Sequence, residues 1–310
     1  MAVRRTIARW LVRGVVRPGM APRRPLAARR RRVDLAGRLL PLPRGVRRQP
    51  AGVENPGGEW LLPAGAAPDA SHGALLYVHG GAFMLGSPAS HRGIAARLAQ
   101  RTGLPVLAAH YRLAPEHPYP AGLEDLLAAW RQITLQGRRP VALAGDSAGG
   151  WLALAVALHA IGAGLPQPVG MALFSPLLDL AGAAAAPPGT ADLMLPPGLV
   201  AEGIAAWRGR LPAGDPRFNL FGGPLAGLPP LFVSVADEEL LAGDAHQLAR
   251  AVREAGGQVR LEARRGLWHA WPLFAGLLPE ADATLRHAAA VLAPAAGPGA
   301  HGSGVDGAVA

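Results

Sequence analysis

The chain has 310 residues, of which 50% are hydrophobic and 17% are charged, a composition that suits one large globular domain and excludes a disordered chain. It contains no cysteine, which excludes disulfides, thiolate nucleophiles and cysteine-bound metal ions. The net charge of +10 comes from an N-terminal arm, because 15 of the 31 basic residues, all of them arginine, lie in the first 48 positions. No base-stacking or groove-reading element accompanies this arm, so we do not expect nucleic acid as a partner.

The N-terminal arm, residues 1–70, begins with a segment of helical periodicity. Its apolar residues recur at helical spacing with arginines between them, at Ile7, Trp10, Leu11 and Val15. They predict a basic amphipathic helix over residues 1–17 that ends at Pro18-Gly19. Such a helix suits contact with an anionic membrane surface or the cover of an apolar cleft, and a solvated cap segment is the simpler interpretation. The arginine run 29–32 and the proline-rich stretch after it predict an extended lead-in up to about residue 70.

Short apolar runs then alternate with segments of helical periodicity. The apolar runs predict strands over residues 74–78, 106–109, 141–144, 171–174, 231–235 and 259–263. The helical segments cover residues 91–101, 123–135, 151–158, 244–255 and 280–292. Asp244 is placed to cap the fourth of these helices. Unbroken apolar strands that alternate with helices predict a mostly parallel sheet that helices cover on both faces.

Two segments lack these signals. Residues 181–222 are rich in glycine, proline and alanine and contain no strand pattern, so we interpret them as an insertion that serves as a lid. Residues 294–310 consist mostly of glycine, alanine and proline, and they predict a disordered tail.

The segment Gly145-Asp146-Ser147-Ala148-Gly149 links a predicted strand to a long apolar helix. A serine with glycines two positions away on either side is typical of a sharp strand-to-helix turn, in which a strained backbone exposes the hydroxyl above the helix N-terminus. This nucleophile elbow makes acyl transfer the leading hypothesis and Ser147 the candidate nucleophile. A chain so rich in glycine and alanine also forms the motif by chance in loops, so catalysis requires further partners.

The oxyanion donors and the base come from two other loops. His79-Gly80-Gly81 directly follows the first predicted strand, and we expect the N–H groups of Gly80 and Gly81, with that of Ala148, to form the oxyanion hole. We assign His79 a structural role. The best candidate for the base is His269, in the loop after the last predicted strand, because the acid and then the histidine follow such an elbow in the chain. Structural or surface roles suit three other histidines better, since they lie before the acid or inside a helix, at His110, His117 and His159.

The acid that orients His269 is expected in Asp237-Glu238-Glu239, which follows a predicted strand. The site requires one carboxylate that accepts the Nδ1–H of the histidine and stabilises the imidazolium. Three adjacent carboxylates offer three candidates, and the composition does not choose among them.

Several motifs stand in one order between His79 and Trp271. They are His79-Gly80-Gly81, Tyr111-Arg112-Leu113-Ala114-Pro115-Glu116, Gly145 to Gly150, Ser175-Pro176-Leu177-Leu178-Asp179-Leu180, Gly227-Leu228-Pro229-Pro230 and Trp268-His269. With them the chain resembles the hormone-sensitive-lipase-like α/β-hydrolases, a group of bacterial carboxylesterases also called family IV. The resemblance implies an α/β-hydrolase fold over residues 71–293, with a helical cap built from the N-terminal arm and the 181–222 insertion.

The resemblance also implies a choice of acid. Family members place the catalytic Asp or Glu ten residues after the first proline of the Pro-Pro pair, and the residue ten positions after Pro229 is Glu239. Asp237 is the alternative. The sequence departs from the family at Ala82, where the common motif has a third glycine. We expect its methyl group to add to the wall of the acyl pocket and to leave the oxyanion hole intact.

The reaction that the resemblance implies is hydrolysis of small-molecule acyl esters of short to medium chain length, and of small lactones, through an acyl-serine intermediate. It requires no metal ion and no organic cofactor. A hydrolase of N-acyl amides with the same triad and a non-catalytic ligand receptor on the same fold are the alternative functions. Homodimers that pair their last strands are common in the family. The arm lacks a continuous apolar run of signal-peptide length, so a cytoplasmic location is the simplest expectation.

Overall fold

The computed structural model describes residues 2–38, 42–52, 57–67, 73–137, 141–181 and 192–293. The predicted tail, residues 294–310, and residues 182–191 of the predicted lid lie outside these ranges. No helix in the described ranges is both long and apolar enough to cross a membrane.

The core is a sheet of eight described strands in the order β1-β2-β4-β3-β5-β6-β7-β8. The strands are β1 (Val46–Ala51), β2 (Gly58–Pro63), β3 (Ala74–Val78), β4 (Val106–Ala109), β5 (Val141–Asp146), β6 (Met171–Phe174), β7 (Leu231–Ala236) and β8 (Val259–Arg264). Strands β3 to β8 are parallel, whereas β1 and β2 pair antiparallel at one edge. The predicted mostly parallel sheet is therefore confirmed, and each predicted strand begins at the expected residue.

Helices that connect the parallel strands pack on the sheet. They are α4 (Pro88–Thr102), α5 (Ala121–Gly137), α6 (Ala148–Gly162), α8 (Ala242–Glu254) and α9 (Pro279–Leu292). Helix α4 packs against α9, α5 packs against α6, and α8 packs on β7 and β8. The predicted cap at Asp244 is wrong. The carboxylate of Asp244 instead accepts the backbone N–H groups of Leu178 and Asp179, because α8 begins two residues earlier and this side chain reaches the loop after β6.

The N-terminal arm is more ordered than its sequence predicts. Helix α1 (Ala2–Leu11) continues through a π-helical turn (Val12–Val16) into α2 (Arg17–Met20), so Pro18-Gly19 does not end the helix. Pro18 is the second residue of α2 and has no N–H to donate, so the helix continues past it without a backbone donor at this position.

The predicted extended lead-in is also wrong. It contains α3 (Leu26–Arg38) and the two antiparallel strands β1 and β2. Helix α3 packs directly on α4, and the approach is so close that a Cβ added at Gly37 would overlap the backbone of Ser90. Tertiary contact of this kind stabilises a helix whose own sequence is rich in arginine and poor in apolar periodicity.

The described part of the 181–222 insertion is helical. Helix α7 (Leu199–Arg208) is followed by short 3₁₀ turns at Pro216–Phe218 and Leu220–Gly222. Trp207 of α7 stacks on Phe83 at 4.7 Å between ring centroids. The insertion therefore packs on the loop that follows β3.

Candidate active site

The nucleophile elbow lies between β5 and α6. Ser147 has φ 52° and ψ −125°, a strained conformation for a residue with a side chain. The turn is tight, because a Cβ at Gly145 would overlap Gly149 O and a Cβ at Gly149 would lie 2.5 Å from His79 O. The glycines on either side of Ser147 therefore permit the close approach that the sequence motif predicts.

The candidate base and acid form a buried pair. His269 Nδ1 lies 3.2 Å from Glu239 Oε1, and only 2% and 4% of the two residues are exposed. Glu239 Oε2 accepts hydrogen bonds from the Ser175 hydroxyl at 2.8 Å and from the Ala236 N–H at 3.1 Å. Ser175 Oγ in turn accepts the N–H of Ala270 at 2.9 Å. This network fixes the carboxylate and the histidine loop relative to each other.

The charge of Glu239 outweighs burial at His269. Burial lowers the pKa of the imidazole. The negative charge of Glu239 and its hydrogen bond raise the pKa by more than burial lowers it, so the net pKa lies above its ordinary value. The histidine is therefore oriented as a base whose protonated form is stabilised.

The other two carboxylates of this loop have different neighbours. Asp237 is exposed and lies 3.7 Å from both His246 Nε2 and Arg265 Nε. Glu238 is also exposed and accepts the N–H of Gly266. Of the three acids that the sequence leaves open, only Glu239 is buried against His269.

The oxyanion loop differs from the prediction at one donor. The N–H of Gly80 donates to Asp146 Oδ1 at 3.1 Å, so it is already engaged inside the protein. Gly81 and Ala82 line the cavity at Ser147, and both have positive φ, 120° and 52°. Neither of their N–H groups donates to another described residue. The sequence-based prediction did not consider Asp146, the residue before Ser147. Its carboxylate accepts the N–H of Gly80, the first residue after His79.

Asp146 is the centre of a buried polar network beneath the loop. It accepts the hydroxyl of Tyr77 at 2.7 Å and pairs with His91 Nε2 at 3.3 Å. Burial alone raises the pKa of Asp146, but His91 and the hydrogen bond from Tyr77 lower it to a net value below the ordinary one. His91 is not among the site residues predicted from the sequence. The only signal was its place in the first turn of a helix that follows the glycine-rich loop.

His79 has the structural role predicted for it. Its ring stacks on Tyr111 at 4.3 Å, and the Tyr111 hydroxyl donates to His79 O at 2.7 Å. Burial and the neighbouring His91 lower the pKa of His79 to about 3, so the ring is neutral at ordinary pH. Tyr111 belongs to the Tyr-Arg-Leu-Ala-Pro-Glu motif, and this contact shows that the motif supports the loop.

Ser147 and His269 line one mostly apolar cavity of about 320 Å³. The N-terminal arm, called the cap from here on, the insertion and the catalytic domain all contribute apolar side chains to its wall, including Leu11, Val15, Val16, Met20, Met194, Leu195, Leu199, Val200, Leu273 and Leu277. The cavity therefore places a hydrophobic substrate group directly beside the candidate nucleophile.

Comparison with known proteins identifies the family. A family model described as an alpha/beta hydrolase fold matches residues 75–273. An acetyl-hydrolase of Streptomyces hygroscopicus is 39% identical over 249 residues, which cover 78% of this chain and 81% of the relative. The carboxylesterase/phospholipase LipF of Mycobacterium tuberculosis is 33% identical over 265 residues, with coverage of 82% and 71%.

Comparison with solved structures identifies the same fold. The crystal structure of an esterase from the bacterial hormone-sensitive lipase family superposes with a TM-score of 0.82 and 32% sequence identity, over 91% of this chain and 95% of that chain. The structural match covers 91% of this chain, and the family-model match over residues 75–273 contains the elbow, the glycine-rich loop and the buried histidine. The chain therefore belongs to the hormone-sensitive-lipase-like group of the α/β-hydrolases.

Proposed function

We propose that this chain, a carboxylic ester hydrolase by its family, is a serine carboxylesterase that acts on short- to medium-chain acyl esters and small lactones through an acyl-serine intermediate. One observation carries the proposal. His269, which is paired with the buried Glu239, lines the same apolar cavity as Ser147, whose strained turn presents a hydroxyl to that cavity. A nucleophile, an oriented base and its acid thus lie beside space for an acyl group.

The proposed first step is attack of Ser147 Oγ on the ester carbonyl. His269 Nε2 takes the hydroxyl proton while Glu239 holds Nδ1–H and stabilises the imidazolium. The new bond forms between Oγ and the carbonyl carbon, and the carbonyl π electrons move to the oxygen. When the tetrahedral intermediate collapses, the alkoxide leaves and takes the proton from His269. Water then attacks the acyl-serine by the same route and releases the acid and free Ser147.

We assign the oxyanion donors to Gly81, Ala82 and Ala148 instead of the predicted set with Gly80. Gly81 and Ala82 line the cavity, and Ala148 heads α6, next to the nucleophile. The Gly80 N–H instead donates to the Asp146 carboxylate and so stabilises the loop. Each donor to a developing oxyanion contributes on the order of 10²- to 10³-fold in rate.

The cavity supports the substrate range. A volume of about 320 Å³ with a mostly apolar wall accommodates an acyl chain of modest length better than a long-chain fatty acid. The Streptomyces relative named an acetyl-hydrolase is consistent with a small acyl group. The cytoplasmic location stays a prediction.

A substrate panel tests this function. We expect purified wild type to hydrolyse p-nitrophenyl esters, with rates that are highest for acetate to about octanoate and fall toward palmitate. Ser147→Ala and Glu239→Ala are expected to abolish this activity, whereas Asp237→Ala keeps most of it because Asp237 is exposed and away from His269. The panel includes p-nitroacetanilide and a small lactone under the same conditions.

The outcomes separate the alternatives. Cleavage of the anilide without cleavage of any ester would replace the esterase by an N-acyl amide hydrolase with the same triad. An enzyme that cleaves none of these compounds would favour a ligand receptor. If Asp237→Ala loses the activity and Glu239→Ala retains it, the acid assignment is wrong while the esterase function stands.

A further inference from the structure

Helix α1 presents its apolar face to solvent. Val3, Ile7 and Trp10 follow helical spacing along one face, and Val3 and Trp10 are each 72% exposed. Ala8, on another face of the same helix, is fully buried. A surface helix normally presents its apolar stripe to the core, so the orientation of α1 is the reverse of the usual one.

This exposure is confined to the cap. Among the described residues, every large hydrophobic side chain that is exposed lies in the first 35 positions, at Val3, Ile7, Trp10, Leu11, Val15 and Leu35. Single exposed apolar residues are ordinary on any protein surface, but a continuous patch marks an interaction site. The stripe along α1 and the π-helical turn is such a patch.

Polar contacts hold α1 in this orientation. Arg5 Nη2 donates to Arg265 O at 3.2 Å, and Arg9 Nη1 donates to Gly266 O at 3.3 Å. Both acceptors lie in the loop that leads to His269. The helix thus contacts the catalytic domain through arginines, which leaves its apolar stripe outside.

The cap also carries unneutralised positive charge. Six exposed arginines of residues 2–38 form neither an ion pair nor a side-chain hydrogen bond with another described residue, namely Arg4, Arg13, Arg23, Arg31, Arg32 and Arg38. The only acidic residue in the first 48 positions is Asp34, and it accepts a hydrogen bond from Ser87 Oγ. An apolar stripe beside free arginines is complementary to a surface that is apolar inside and anionic at its headgroups.

The stripe continues to the opening of the catalytic cavity. Leu11 and Val15 line the cavity, yet they are 42% and 56% exposed. They therefore lie at its mouth. A surface that covers the stripe would also meet the entrance to Ser147.

We propose that α1 and the π-helical turn dock on an anionic phospholipid surface, with Val3, Ile7 and Trp10 at the acyl boundary and the free arginines against the headgroups. Docking brings the mouth of the cavity to esters that are dissolved in that surface. The docking itself is independent of the proposed function, and only the delivery of esters depends on it.

Vesicle binding of the full-length protein tests the docking. We expect wild type to sediment with vesicles that contain phosphatidylglycerol and to stay in solution with phosphatidylcholine alone. Trp10 is exposed, whereas the other six tryptophans are buried, so binding should shift the fluorescence emission to shorter wavelength. Trp10→Phe should remove that shift and keep the binding.

Two double variants separate the apolar and the charged contributions. Ile7→Gln/Trp10→Gln removes the stripe, and Arg4→Gln/Arg13→Gln removes charge; each is expected to weaken vesicle partitioning about tenfold or more. The matched control is Arg250→Gln/Arg253→Gln, which removes the same charge from exposed positions on α8 and is expected to bind like wild type. All these side chains are exposed, so the thermal midpoint should stay unchanged.

Ser147→Ala separates docking from catalysis. It should bind vesicles as wild type does, and a protein that binds but hydrolyses nothing would contradict only the proposed function. The docking proposal is overturned if wild type ignores anionic vesicles, or if both double variants bind as wild type does. It is also overturned if Trp10 becomes shielded in the absence of vesicles as protein concentration rises, because a second copy of the chain would then cover the stripe.

Discussion

The ionisation of His269 determines how the proposed reaction depends on pH. Only the neutral imidazole can take the Ser147 proton, and the pKa of His269 is raised above its ordinary value of 6.5 because Glu239 outweighs the effect of burial. We therefore expect kcat/KM to be low in acid, to rise with pH through a midpoint above 6.5 and then to level off. A pH–rate profile with p-nitrophenyl acetate measures this midpoint.

Glu239→Gln should change both the midpoint and the rate. The amide removes the charge that raises the His269 pKa and leaves the burial that lowers it, so the midpoint is expected to move to lower pH. The rate should fall by on the order of 10³- to 10⁴-fold, as expected when the acid of a triad loses its charge. Asp237→Asn is the matched control, with an unchanged profile. A Glu239→Gln midpoint equal to that of wild type would exclude Glu239 as the partner of His269.

Individual residues show how far the sequence could lead. Ser147 and His269 follow from chain order and glycine spacing, because an elbow and a late histidine loop are local features. The choice among three adjacent acids is not local, since burial distinguishes Glu239, and its partners Ser175 and His269 come from elsewhere in the chain. The Gly80 contact with Asp146 depends in the same way on two strands that become neighbours only in the folded sheet.

At the scale of elements, two adjacent arginines attach α3 to the remainder of the protein. Arg29 is buried and forms two hydrogen bonds with Glu202 of α7. Arg30 donates to Met84 O, to Ala114 O and to both carboxylate oxygens of Glu116. The cap is therefore tied to the insertion by one residue and to the loops around the oxyanion hole by the next.

Arg30→Ala should loosen the cap. The substitution leaves Met84 O, Ala114 O and the Glu116 carboxylate without the guanidinium donor, which is expected to lower the free energy of unfolding by about 1–3 kcal/mol. The first 48 residues contain 15 arginines, so trypsin should cut a loosened cap much faster than that of wild type. Arg31→Ala is the matched control, because Arg31 is exposed and its loss also removes one cleavage site. Equal tryptic lifetimes for the two variants would show that Arg30 does not anchor α3.

Two of the elements that the sequence did not predict, β1 and α3, share a physical cause. Strands β3 to β7 are largely apolar runs because helices bury them, and they were predictable from that pattern, whereas β8 at the other end of the sheet alternates apolar and charged residues. Strand β1 lies at the edge and is mostly exposed, so residues such as Arg47 and Gln49 give it no apolar signal. Helix α3 contains four consecutive arginines and is stabilised by α4 and by the ion pairs of Arg29 and Arg30. Contacts from distant parts of the chain, not local propensity, form these two elements.

At the scale of the whole molecule, the cavity depends on three separate parts of the chain. The catalytic domain contributes Ser147 and His269, the insertion contributes Leu199 and Val200 of α7, and the cap closes the remaining side. Acyl length should therefore respond to changes in the cap that lie far from Ser147 in the sequence.

Gly19→Leu tests this control by the cap. Gly19 is a buried residue of α2 that lines the cavity, and a Cβ there meets only Arg32 Cβ at an ordinary 3.7 Å, so the added side chain should extend into the cavity without distorting the helix. We expect p-nitrophenyl acetate hydrolysis within about twofold of wild type and loss of activity toward octanoate, with stability kept or raised because leucine favours a helix more than glycine does. Gly14→Leu, the same change outside the cavity wall, should keep the chain-length profile of wild type. If Gly19→Leu leaves octanoate hydrolysis unchanged, the acyl chain does not pass the cap and the proposed shape of the substrate site is wrong.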